Sequence, residues 1–113
     1  MPRDRVYLLD ILEAARGAMR YVAGKTRTEF MSDEQCQDAV IRRLEIVGEA
    51  ARRVSDEARR QHDSVPWRDI VGFRNVLIHQ YDGVDLTLVW ETVQNQLPLL
   101  IETLEKIIES ESA

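Results

Sequence analysis

The sequence predicts an all-α fold: an antiparallel bundle of four main helices, with a kink in the last. Three observations carry this. Apolar residues recur at alternating steps of four and three along most of the chain, which is the spacing of one helix face. Five Gly and three Pro leave little room for the many turns of an all-β fold. Capping residues stand where several of the apolar stripes begin. The chain of 113 residues is expected to form one domain, residues 1–113, around one core.

The first helix is expected from Asp4 to Ala23, with Asp4 as its cap and Leu8, Leu12, Ala15, Met19 and Val22 as its buried stripe. Leu9 and Ile11 widen that face. Gly24 suits the C′ position, where φ is positive, and Lys25 to Met31 reads as a loop. The second helix opens on the capping-box pattern Ser32-x-x-Gln35, with Asp33 and Glu34 in its first turn. Its stripe of Cys36, Val40, Leu44, Val47, Ala51, Val54 and Ala58 carries it to about Arg60. Gly48, Ala50 and Ala51 are small enough to let another helix approach closely.

Gln61 to Val65 connects to a third helix with Pro66 at N1. This helix turns Trp67, Ile70, Phe73 and Leu77 inward and ends near Tyr81, before the turn signal Asp82-Gly83. The fourth helix starts after the N-cap Asp85. Its stripe is Leu86, Trp90, Val93, Leu97, Leu100, Leu104 and Ile107, with Pro98 inside it to kink it or remove a hydrogen bond. Glu109 to Ala113 is expected to fray. Stripes this long on so small a domain lead us to expect a homodimer.

Composition narrows the function. The chain is 44% apolar and 31% charged, with a net charge of −5, so it is not basic all over; a local patch can still bind nucleic acid. Thirteen of its fifteen basic residues are Arg, whose planar fork suits phosphate. Arg42, Arg43, Arg52, Arg53, Arg59 and Arg60 punctuate the second helix. They read either as a solvated face paired with Glu45, Glu49, Asp56 and Glu57 or as a phosphate-binding surface. No apolar run is long enough to span a membrane, and no signal-peptide core follows the first residues. A single cysteine, Cys36, has no metal-ligand pattern around it and reads as a small buried residue. No metal or cofactor is expected, and the cytoplasm is the default location.

One stretch collects chemistry: Phe73-Arg74-Asn75-Val76-Leu77-Ile78-His79-Gln80-Tyr81. Arg74 can hold a phosphate through two parallel hydrogen bonds. His79 can exchange a proton near neutral pH. Together they suit RNA cleavage without a metal, because the ribose 2′-OH is an internal nucleophile that needs only alignment and proton transfer. Asn75 can add a hydrogen bond. On a regular helix Arg74 and His79 point about 140° apart, so the helix must loosen near His79 or the site must be completed across a dimer interface. Against this stands a structural reading, with His79 a cap or core residue and Tyr81 a packing residue. His62 reads as a favourable helix-end residue, and Trp67 and Trp90 as core anchors.

The stretch from Pro66 to Tyr81 resembles the signature of the HepT-like proteins of the HEPN superfamily, Arg-x4-His-x-Tyr with a polar residue after the Arg. Arg74, Asn75, His79 and Tyr81 match it in full. Ile46-Val47-Gly48-Glu49-Ala50-Ala51 resembles the family's second-helix motif, and Val84 through Trp90 with Leu97-Pro98 resembles its last helix. The resemblance implies an α-helical homodimer that acts as the toxin of a toxin–antitoxin pair and cleaves RNA without a metal. It makes Arg74 and His79 the catalytic pair and Asn75 an accessory polar group. It also implies a minimal nucleotidyltransferase antitoxin that attaches AMP to Tyr81. A bulky anion two residues from His79 would block the cleft and repel an RNA phosphate. The alternative is a non-catalytic helical module that binds a nucleotide or a protein.

Overall fold

The computed structural model describes residues 2–73, 83 and 85–112. Among them every regular element is helical. The elements are α1 (Pro2–Val22), α2 (Arg27–Met31), α3 (Glu34–Arg53), α4 (Asp56–Gln61), α5 (Trp67–Val71), α6 (Leu86–Glu91), a π turn (Thr92–Gln96) and α7 (Leu97–Ser112). Contacts between helices give their directions. Asp4 meets Ser55 and Tyr21 meets Arg43, so α1 and α3 run antiparallel. Arg16 meets Glu105 and Arg5 meets Glu111, so α1 and α7 do too. The all-α bundle is as expected, and its buried residues form one cluster.

The burial of α1 is centred on Leu8, Ile11, Leu12, Ala15, Ala18 and Val22. Leu9 does not widen it: it is 40% exposed, because it lies one residue's rotation away from that stripe. Gly24 closes the helix at φ +76° as expected. Gly17 leaves a gap on α1 that the Arg43 guanidinium fills, on its way to donate to the Tyr21 hydroxyl at 3.0 Å.

Two local expectations are corrected after Gly24. Lys25 to Met31 is not a loop, because Thr26 and Glu29 form a capping box that starts α2. The Thr26 hydroxyl accepts from Glu29 N–H at 3.2 Å, and the Glu29 carboxylate accepts from Thr26 N–H at 2.9 Å. Phe30 is thereby buried, 5.3 Å centroid to centroid from Trp90. Ser32 does not cap α3 either. Its hydroxyl donates back to the Thr28 and Glu29 carbonyls, which ends α2, and Asp33 caps α3 by accepting from Cys36 N–H at 3.0 Å.

The largest correction concerns the expected long second helix. Val40, Leu44, Val47, Ala51, Val54 and Ala58 are all buried, yet the helix breaks at Val54. Asp4 causes the break rather than capping α1. Its carboxylate accepts from Ser55 N–H at 2.9 Å and from the Ser55 hydroxyl at 2.7 Å. In a continuous helix that N–H would bond the Ala51 carbonyl. Instead, Ala51 O accepts from Val54 N–H at 3.3 Å and from the Arg59 guanidinium at 2.9 Å. Ser55 then caps α4, accepting from Ala58 N–H at 3.1 Å.

Donation from Ser55 N–H holds the Asp4 carboxyl below its ordinary value of 3.8. A depressed carboxylate stabilises the fold above that value, and the contribution is lost as pH falls through it toward the folded-state pKa. Asp4→Ala leaves the Ser55 N–H without its acceptor and is expected to cost about 1–3 kcal/mol in urea unfolding at neutral pH. The gap between wild type and Asp4→Ala should narrow below about pH 4. A gap constant across that range would refute the linkage.

Pro66 stands at the N-cap of α5, one residue before the expected N1, with its carbonyl accepting from Ile70 N–H at 3.1 Å. The expected third helix is not continuous from there. α5 closes at Gly72, whose N–H bonds the Arg68 carbonyl at 3.0 Å. The expected inward position of Leu77 and the end near Tyr81 lie outside the described residues.

Asp85 caps α6 as expected, accepting from Leu88 N–H at 3.1 Å. The kink expected at Pro98 takes a specific form. The π turn Thr92–Gln96 lies directly before Leu97 and Pro98. A proline here lacks an N–H and would clash with the carbonyl four residues back, and a wider turn relieves both problems. Of the stretch expected to fray, Ala113 lies outside the described residues and Glu109 to Ser112 is helical. Glu111 holds it, 3.1 Å from His62 and 3.9 Å from Arg5.

Candidate functional site

Arg74, Asn75, His79 and Tyr81 lie outside the described residues, so the site is built here from what holds the segment at each end. Upstream, Trp67, Ile70 and Phe73 are buried in the common core, as expected. The Trp67 indole N–H also donates to the His62 carbonyl at 3.0 Å, which fixes α5 to the end of α4. Downstream, Gly83 takes φ +107°, a left-handed conformation that favours glycine. Two residues later comes the Asp85 cap, and Val89 is fully buried. Both α5 and α6 pack against α3. The helices that precede and follow the Arg74–Tyr81 segment in sequence therefore pack against the same long helix.

The arginines of the second helix do not act as one set. Arg43 is engaged with Tyr21, over whose ring it lies 5.5 Å from the centroid. Arg59 reaches back to the Ala51 and Arg52 carbonyls at the end of α3, and its Nε is buried with no partner. Arg42 is exposed and only 4.0 Å from Glu49, a pair that contributes little. Arg52, Arg53 and Arg60 are exposed.

His62 is the C-cap residue of α4, and its ring Nε2 lies 3.1 Å from the Glu111 carboxylate. Sequence reasoning missed this pairing, since the partners are 49 residues apart and no local pattern links them. Cys36 is half-buried and donates to the Tyr21 carbonyl at 3.4 Å. Burial pushes its thiol pKa up, which disfavours the reactive thiolate. Among the described residues no group of three or more His, Cys, Asp or Glu is placed to hold a metal ion. Among them, too, no helix is long and apolar enough to cross a membrane.

The helical bundle fits the class to which the comparisons point. The family described as "Ribonuclease HepT-like" matches residues 11–107. The "Probable ribonuclease HepT" of Thermococcus cleftensis is 39% identical over 89% of this chain and 92% of its own length. "Putative RNase TTE0752" of Caldanaerobacter subterraneus subsp. tengcongensis is 36% identical over 98% of this chain and 99% of its own. A longer Methanocaldococcus jannaschii protein, "Gamma-glutamylcyclotransferase and putative RNase MJ0434", is 41% identical over 93% of this chain, which spans only 47% of it. No solved structure gives a significant match. The chain belongs to the HepT-like ribonuclease family.

Proposed function

We propose that the chain is a metal-independent endoribonuclease and the toxin of a toxin–antitoxin pair, acting on RNA in the cytoplasm. The observation that carries this reading is an intact Arg74-Asn75-x3-His79-x-Tyr81 motif inside a chain matched by the ribonuclease family over residues 11–107. Arg74 stabilises the charge that builds on the phosphorus centre, and His79 manages the proton of the attacking 2′-OH. Asn75 supplies a further hydrogen bond. The chain works as a homodimer, so that two copies of the motif face one cleft and the angular separation of Arg74 and His79 on one helix no longer matters. Its partner is a nucleotidyltransferase antitoxin that places AMP on Tyr81 and so blocks that cleft.

The test is a cleavage assay on structured and unstructured RNA with EDTA present. The intact mass of the protein is measured first to exclude AMP on Tyr81. Cleavage by unmodified protein in EDTA supports the proposal. Tight RNA binding without turnover by folded, unmodified protein would replace it with a non-catalytic binding module.

A further inference from the structure

Four helix ends meet at one end of the bundle. Asp4 of α1 binds Ser55 at the start of α4, Arg59 of α4 reaches the last carbonyls of α3, and Glu111 of α7 meets His62 and Arg5. Here, between the end of α4 and the outer face of α7, lies a cleft of about 610 Å³, open to solvent. It falls in the size range of small-molecule sites, and the cleavage chemistry proposed above does not use it. Gln61, His62 and Ser64 line one side, and Thr103, Lys106, Ile107, Ser110 and the acidic Glu111 the other.

The lining has a definite chemistry. Ile107 offers an apolar surface. Gln61, Ser64 and Ser110 add exposed polar side chains. Among the described residues Lys106 pairs with Glu102, at 3.1 Å, and this pair is 74% and 62% exposed, so little is lost when Lys106 turns to another anion. The Glu111 carboxylate is already met by His62 and Arg5. A flat heterocycle with donors and acceptors on its edge suits the floor and walls. A phosphate attached to it suits Lys106.

We propose that this cleft is a second RNA subsite, which holds one nucleotide of the substrate on residues other than the Arg74–Tyr81 motif. The base lies on Ile107 between Gln61 and Ser110, and its phosphate faces Lys106. The proposal rests on the ribonuclease reading, because it assigns the cleft to that enzyme's substrate. It makes Lys106 and Ser110 positioning residues that act on substrate binding and leave the chemical step alone.

The experiment compares wild type with Ser110→Trp, which plugs the cleft, and Lys106→Glu, which repels phosphate. Both positions are exposed on α7, and melting curves confirm folding. With a short unstructured oligoribonucleotide as substrate, each variant should raise KM about tenfold and leave kcat unchanged, the equivalent of losing one base-stacking or phosphate contact. The same oligonucleotide should shift the backbone amide signals of Gln61, Ser64 and Ser110 in wild-type NMR spectra, whereas AMP and UMP alone should shift them far more weakly. Unchanged KM in both folded variants overturns the subsite and leaves the ribonuclease standing. Mononucleotides binding as tightly as the oligonucleotide also overturn it, since the cleft would then serve free nucleotides. If wild type cleaves no RNA, the ribonuclease reading fails instead, and the amide shifts still decide whether the cleft takes RNA.

Discussion

Alanine at His79 is expected to slow RNA cleavage by roughly two to four orders of magnitude, the usual worth of a positioned general acid or base. RNA binding should survive, so the loss falls on kcat and spares KM. Arg74→Ala should lose a similar amount by a different route, because the charge on the phosphorus centre is then unopposed. Arg74→Lys separates charge from geometry: it restores the positive charge but not the planar fork, so its rate should fall between wild type and Arg74→Ala. The double variant should be little slower than either single one, since groups that act as a unit are not additive. Circular dichroism and melting temperature must match wild type in each case. A His79→Ala protein that cleaves at the wild-type rate in EDTA would remove His79 from the mechanism.

Trp67→Ala should be the most damaging substitution in the described part of the chain, at about 3–5 kcal/mol in denaturant unfolding. Trp67 is buried in the common core, and its indole N–H is bonded to the His62 carbonyl. The change leaves a cavity under α5 and removes one of the two donors to the His62 carbonyl, which keeps the Val65 N–H at 3.2 Å. Because α5 leads directly into Arg74, cleavage should fall as well, even at temperatures where the protein remains folded. Trp67→Phe isolates the polar part. It keeps most of the packing and loses one hydrogen bond, worth about 1 kcal/mol. If Trp67→Phe proves as damaging as Trp67→Ala, the hydrogen bond rather than the packing holds α5 in place.

The sequence was legible where the cause of a feature is local. Gly24 and Asp85 end and begin helices through bonds within a few residues, and both stand as expected. The α2 helix was legible in principle, since Thr26-x-x-Glu29 satisfies the same capping rule that was applied to Ser32-x-x-Gln35. The rule finds candidates, and the neighbouring Asp33 decided between them. The break at Val54 was hidden because Val54 and Ala58 stay buried on both sides of it, so the apolar stripe passes through unmarked. Its cause, Asp4, is 51 residues away from Ser55. The same limit applies to His62 and Glu111, which no spacing rule could have joined. The candidate cleavage residues were legible as a motif, because their chemistry is concentrated in eight consecutive positions from Arg74 to Tyr81.

The π turn at Thr92–Gln96 acts as a phase shifter. It amounts to one extra residue in an otherwise α-helical path, and one residue is worth about 100° of rotation. It thus sets the angle at which α6 leaves α7, and α6 carries the cap that receives the Arg74–Tyr81 segment. Deleting one residue from the turn would rotate that landing point by about a quarter of a circle while leaving every residue of the motif in place. Insertions and deletions in this turn are therefore a way for such a chain to re-aim its chemistry without altering the groups that perform it.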